Sequence, residues 1–264
     1  MRRVAWILVV LLAALPARAQ TVDPADPLGS VMWTTVRDAV FPGAAMVFDD
    51  HVQVFSPPVV EDTMNVPVSV LVNGLPDVEE IVLLVDHNPI FKALAFFPVQ
   101  AAPAFETVIK VQEATPIRAA ARTSDGVWHV GGLRVDAAGG GCTVASVAAS
   151  GGDWDRLNEV SGTAWRRPDG GQRLRFQVVH PMDTGLVDGI PPFFIERLSV
   201  ATPEGQELAR LELFEPVSEN PVFTIDLRGH AGSVVIGGAD TDANQIAARI
   251  GMASTLFGLL EASR

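Results

Sequence analysis

The sequence predicts an all-β protein built as two β-sandwich domains in tandem. Three observations carry this. Short apolar segments of period two recur along the chain, and Pro, Gly, Asn or Asp punctuate them. A glycine-rich stretch, Asp136-Ala137-Ala138-Gly139-Gly140-Gly141-Cys142-Thr143, interrupts the pattern near the middle, and strand-like segments resume after it.

The first nineteen residues have the three parts of an export signal. Arg2 and Arg3 form the positive region, Ala5 to Leu15 the apolar run, and Ala17-Arg18-Ala19 the small-x-small site. The run is too short to span a bilayer, so cleavage after Ala19 and a mature start at Gln20 are expected, which places the protein in the periplasm. No later stretch approaches the roughly 18 apolar residues of a spanning helix, so the mature chain is expected to be soluble, with no membrane partner. Losing Arg2, Arg3 and Arg18 with a segment that holds no acid takes the formal charge from -12 to -15. A surface that acidic repels nucleic acid and anionic lipid.

Residues 20 to 50 read as a lead-in. Asp23-Pro24 and Asp26-Pro27 favour turns, and Trp33, Val36 and Val40 recur at helical spacing within Gly29 to Phe41, predicting one short helix. Val52 and Val54, Val66 to Val72, Val78 to Val85, Leu94 to Val99, Thr107 to Val111, Ile117 to Ala121 and Val127 to Val135 are seven β-rich segments, enough for a first sandwich over 27–142. Residues 143–172 read as a linker, although Trp154 and Trp165 argue for partial packing there. Leu174 to Val179, Phe193 to Val200, Glu207 to Phe214, Val222 to Leu227 and Ser233 to Ile236 predict a second sandwich over 173–242. In the tail, 243–264, the residues Ile246, Ile250, Ala253, Phe257 and Leu260 lie three or four apart, which predicts an amphipathic helix that Gly251 and Gly258 weaken.

The chemistry centres on Cys142, the only cysteine. One cysteine excludes an internal disulfide framework, so the thiol is either reactive or a site for pairing with another chain. Free cysteine is normally buried, and three consecutive glycines, Gly139, Gly140 and Gly141, form a flexible arm, which predicts an exposed, mobile thiol. From Val135 to Cys142 such an arm extends roughly 24 Å at ~3.4 Å per residue. An incidental cysteine in a linker is the plain alternative.

Other constellations are missing. His51, His87, His129, His180 and His230 lie dozens of residues apart with no second cysteine, so no zinc or haem-attachment motif occurs. Neither a phosphate loop nor a Gly-x-Ser-x-Gly elbow is present. A catalytic thiol must be held within about half an ångström of productive geometry, which a glycine tether does not do. The expectation is a carrier with no catalytic residues, no cofactor and no metal. Two further stretches stand out: His180-Pro181-Met182-Asp183-Thr184-Gly185-Leu186 after a strand, and Val217-Ser218-Glu219-Asn220-Pro221-Val222-Phe223, a turn into one. Each reads as loop chemistry, with an interaction surface at His180, Met182, Asp183 and Asn220 as the functional alternative.

The chain resembles a fusion of the SoxY and SoxZ sulfur carriers. The SoxY-like residues are Ser56 to Asp62, Val66-Pro67-Val68, Val78 to Val85 leading to Asn88-Pro89, Asp125-Gly126, and Val135 leading to Gly140-Gly141-Cys142. The SoxZ-like residues are His180 to Leu186, Ile190-Pro191, Phe193 to Ile195 and Ser218 to Pro221. The resemblance implies two immunoglobulin-like sandwiches in contact with each other. It further implies that Cys142 is the covalent attachment site for a sulfur intermediate, as in thiosulfate oxidation, presented to periplasmic sulfur-oxidation enzymes. In SoxY the Gly-Gly-Cys-Gly-Gly motif ends the chain; here Thr143 follows and the chain continues. Fused forms go with quinoprotein alcohol dehydrogenases, which implies a second reading: a non-covalent accessory protein of a periplasmic quinoprotein (PQQ) dehydrogenase system. Redox sensing or dimer formation through Cys142 is a third.

Overall fold

A computed structural model describes residues 25–147 and 154–253. The export signal, and the tail positions Phe257 and Leu260, lie outside the described residues.

In the first half, helix α1 (Trp33–Val40) precedes β1 (Met46–Phe48), β2 (Val52–Phe55), β3 (Val59–Val60), β4 (Val66–Val72), β5 (Val78–Val85), β6 (Lys92–Phe97), β7 (Ala101–Ile109), β8 (Thr115–Thr123) and β9 (Trp128–Ala137). The second half contributes β10 (Val160–Arg166), β11 (Gln172–Val178), β12 (Asp183–Thr184), β13 (Pro192–Phe193), β14 (Ile195–Ala201), β15 (Glu207–Leu213), β16 (Val222–Leu227), β17 (Val234–Asp240) and β18 (Gln245–Ile250). The all-β, two-sandwich expectation is met, with the short helix where the sequence placed it.

The two sandwiches share their sheets. One sheet runs β1-β9-β8-β5-β6-β15-β14-β17-β18, with β3 added on β9, and the facing sheet runs β10-β11-β16-β7-β4-β2. The halves therefore join edge to edge twice. β6 pairs antiparallel with β15, Ala95 opposite Glu212, and β7 pairs antiparallel with β16, Phe105 opposite Ile225. Each half covers the other's open strand edges, which would otherwise expose unpaired N–H and C=O groups. A single apolar core runs through both, with Phe96 and Phe105 in ring contact at 5.3 Å in the first half and Phe176 and Phe223 at 5.4 Å in the second.

Strand β5 shows why its sequence is a continuous apolar run and not an alternating one. Ile81, Leu83 and Val85 enter the core, while Val82 and Leu84 on the other face lie under Trp33, Val36 and Phe41 of the helix segment. Both faces are covered, so both parities must be apolar. Arg118 on β8 is buried on that same outer face, with both oxygens of Asp86 at 3.0 Å from Nε, Asp26 at 2.7 to 2.8 Å, and the Trp33 ring 4.3 Å from its guanidinium carbon. Asp26 also accepts from the backbone N–H groups of Leu28 and Ser30, so one ionic cluster ties the lead-in to the sheet.

Two expectations need correcting. The residues 143–172 are more than a linker, because 160–166 form β10, paired with β11 from Val160 opposite Val178 to Arg166 opposite Gln172. The tail is not helical over its described part. Residues 245–250 form β18, paired with β17, and Ile246 and Ile250 are buried as part of the core. A spacing of four is a multiple of two, so these isoleucines share a face on a strand as well as on a helix.

Replacing Arg118 with Met leaves the fully buried Asp86 without its counter-charge. A loss of ~3–5 kcal/mol is expected, read as a lower urea midpoint at unchanged slope.

Candidate functional site

Cys142 lies in a short 3-10 turn, Gly141–Thr143, at the seam between the two halves. The structure corrects the mobile arm: Cys142 is only 2% exposed, and the glycines are pinned. Gly140 N–H donates to the Gln112 carbonyl at 2.7 Å and Gly141 N–H to the Val111 carbonyl at 3.1 Å. The Thr63 hydroxyl donates to the Gly139 carbonyl at 3.2 Å. Gly139 and Gly140 have φ of +104° and +95°, the left-handed region that glycine enters without cost. At Gly141 the reason is space, since a Cβ there would stand 2.1 Å from the Thr63 carbonyl oxygen. Glycine here serves tight turning and close packing.

Cys142 itself is held from both halves. Its N–H donates to the Gln112 side chain at 3.2 Å, and its carbonyl accepts from the Thr184 hydroxyl at 2.7 Å. Further along, Ser146 donates to the Asp183 carboxylate through N–H (3.2 Å) and hydroxyl (3.1 Å), and Val147 N–H donates to Glu219 at 2.9 Å. The segment bearing the thiol is thus clasped by the stretches 180–186 and 217–220.

Lys110, immediately after β7, is 2% exposed. Asn88 Nδ2 donates to its carbonyl, its N–H donates to Pro216, and its ammonium donates to the Met182 carbonyl. Burial pulls its pKa from 10.5 to about 8, opposed by the electrostatic influence of Asp183, Cys142, Glu219 and Glu215. Burial also pushes the Cys142 thiol from 9.0 up to about 11, with Lys110 acting against it. At neutral pH the lysine is mostly charged and the seated thiol almost wholly protonated.

The proposed surface residues are placed differently from expectation. His180, Met182 and Asp183 are buried, and only Asn220 is partly exposed, so three of the four face the protein's own interior. Asn220 and His180 exchange hydrogen bonds, with the His180 N–H donating to Asn220 Oδ1 and the Asn220 N–H to the His180 carbonyl. Met182 N–H donates to His180 Nδ1 at 3.1 Å, which assigns the ring proton to Nε2 in the neutral imidazole. Nε2 lies 3.6 Å from the Asp240 carboxylate, beyond a hydrogen bond, and the ring packs on Phe193 at 4.5 Å. Burial lowers the His180 pKa from 6.5 to about 4, against the raising effect of Asp240.

Lys110, Gln112 and Thr63 escaped the sequence reading, and Thr184 entered it only within the stretch from His180 to Leu186. Lys110 carried a signal: Val108-Ile109-Lys110-Val111 sets one charge inside an apolar run. No group of three or more metal-ligating side chains occurs among the described residues.

The comparisons agree with the division into halves. Residues 37–142 match the family described as sulfur oxidation protein SoxY, ending on Cys142 itself, and residues 163–249 match sulphur oxidation protein SoxZ. Among solved structures, the sulfur carrier protein SoxY from Chlorobium limicola f thiosulfatophilum is similar at 16% identity and a TM-score of 0.36, covering 40% of this chain and 96% of that one. No curated protein matches the chain.

Two outcomes follow from the seat. His180 is neutral in the fold and charges first in the unfolded chain, so stability falls as pH drops from about 6.5 towards about 4, by up to ~3 kcal/mol. Urea titrations across that range should show the slope, and His180→Gln should remove most of it. Gly141→Ala forces the turn off Thr63, so Cys142 should react with iodoacetamide at least ~10-fold faster than in the wild type.

Proposed function

We propose that this chain, a fused SoxY/SoxZ-like protein with a SoxY domain at 37–142 and a SoxZ domain at 163–249, is an exported carrier that holds a sulfur-containing group covalently on Cys142. The observation that carries the reading is the seat: the lone cysteine terminates the SoxY match and is clasped by residues of the SoxZ domain. The second domain supplies in one polypeptide the partner that closes over the thiol, at an effective concentration of about millimolar.

The seat constrains how such a carrier works. A thiol with pKa about 11 offers roughly one thiolate in ten thousand at neutral pH, so it does not attack while seated. Loading by a periplasmic sulfur-oxidation enzyme, or by an enzyme of a quinoprotein dehydrogenase system, requires the segment to lift. Lifting breaks the bonds to Gln112, Thr184, Asp183 and Glu219. Strand β9 continues to Ala137, so five residues reach Cys142 from its end and span ~17 Å, shorter than a free arm measured from Val135. Lys110 influences the charge of the thiol but already donates to a carbonyl.

Burial of the thiol also favours the second reading, a non-covalent accessory protein of a quinoprotein dehydrogenase system in which Cys142 is structural. Intact-mass spectrometry of protein taken from its own host separates the two. A reductant-sensitive mass increment on the Cys142 peptide is expected, and loss of pathway function in Cys142→Ser should accompany it. An unmodified thiol under every growth condition, with function surviving the serine, would overturn the carrier.

A further inference from the structure

We propose that the outer face of the six-stranded sheet is a self-complementary docking surface for a second copy of this chain, with Trp165 and Arg175 at one end and Glu106 and Phe55 at the other. The inference stands apart from the carrier reading, because none of these four residues holds the Cys142 segment.

The strand order β10-β11-β16-β7-β4-β2 fixes what this face presents. One row sets Trp165 opposite Arg173 and Arg173 opposite Asp226. The next row sets Arg175 opposite Thr224, then Glu106, Ser69 and Phe55 in turn. Directly opposed residues share a face, and this one is outward, because Phe176, Phe223, Phe105 and Val70 at the alternate positions fill the core. Helix α1 packs on the other sheet. Two large aromatic side chains nevertheless stand open here: Phe55 is 53% exposed and Trp165 is 44% exposed.

The charges point the same way. Residues 160–178 hold four arginines against one acid, Asp169, in a chain whose formal charge is -12. Asp226 accepts from Arg167 at 2.8 Å and from Arg173 at 2.8 and 2.9 Å, so those two arginines are balanced within the face. Arg175 and Glu106 form no ion pair among the described residues, and the strand that carries Thr224 lies between them.

A second copy turned over supplies what each end lacks. A two-fold axis parallel to the strands, along the join of β16 and β7 and midway between two facing sheets, lays β10 of one copy over β2 of the other and β11 over β4. Arg175 then comes down on Ser69, one strand spacing of about 4.8 Å from Glu106. Trp165 meets the strand that carries Phe55. A depression of about 210 Å³, bordered by Phe55, Leu71, Ala104 and Glu106, lies on the side that receives the indole. Each contact occurs twice, as in any isologous interface. Tryptophan and arginine are the residue types that anchor such interfaces, and the charge pairs fix the register.

Sedimentation velocity of the chain purified from its host tests the surface. Reductant keeps Cys142 from linking copies, and salt at ~0.15 M shortens the Debye length to about 8 Å, which screens repulsion between the acidic remainders. The wild type should be dimeric at ~100 µM. Arg175→Glu and Glu106→Arg each set like charges against one another, so each alone should weaken dimerisation at least ~30-fold, and the double reversal should return it to within ~3-fold of the wild type. The two single reversals move the net charge in opposite directions, so a shared loss reports the contact and not the overall charge. Trp165→Ala should weaken the dimer to a similar degree while leaving the urea midpoint of the dilute monomer unchanged. A wild type that is monomeric at ~100 µM overturns the proposal. So does a dimer that the single reversals leave intact or that the double reversal fails to restore.

Discussion

Everything at the site depends on the two strand pairings that join the halves, β6 with β15 and β7 with β16. They turn two sandwiches into one body with a common core, so loops from opposite halves meet at fixed separation. Val217 bridges to Ile109 and the Ser218 hydroxyl donates to the Met64 carbonyl at 2.6 Å, which sews the SoxZ-like turn to the end of β7. Lys110 and Gln112 follow β7 directly, and Cys142 follows β9. The pairing of the sheets thus decides what surrounds the thiol.

The strands were legible because their pattern is set by burial. Val66 to Val72 alternates in the structure as in the sequence, with Val66, Val68, Val70 and Val72 all buried. The same logic failed where two periods coincide, as at Ile246 and Ile250, whose spacing fits both a helix and a strand. It failed again at Gly139 to Gly141. A glycine run permits mobility, but it also permits close approach, and only the neighbours decide between them. Here the neighbours are the carbonyls of Thr63, Val111 and Gln112, which come from elsewhere in the chain and leave no mark beside the glycines. The stretch from His180 to Leu186 is unusual for a sound reason, yet the side chains of His180 to Thr184 point inward and only that of Leu186 is exposed. A motif signals constraint, and the direction of the constraint is a tertiary fact.

The positive-φ residues near the seat are consistent with this inward role. Met182 and Asn220, neither a glycine, sit at φ of +51° and +49°. Each is held by the same short network: Met182 N–H on His180 Nδ1, and Asn220 by its reciprocal bonds with His180. His180 is therefore a brace for two strained positions, and its neutrality matters because a protonated Nδ1 could no longer accept from Met182. The Met182 carbonyl that this brace positions is the one that receives the Lys110 ammonium. A single buried histidine is thus linked through one residue to the charge beside the thiol.

Seating and reactivity are opposed by construction. Burial lifts the thiol pKa from 9.0 to about 11, so release of the segment raises the thiolate fraction at a given pH by about a hundredfold. By the same linkage, whatever deprotonates Cys142 favours release, unless a cation in the seat compensates. Lys110 acts in that direction, while burial holds its own pKa at about 8 against the raising influence of Asp183, Cys142, Glu219 and Glu215. What must lift to expose the thiol is the whole segment from the end of β9 to Val147, which Gln112, Thr184, Asp183 and Glu219 hold down.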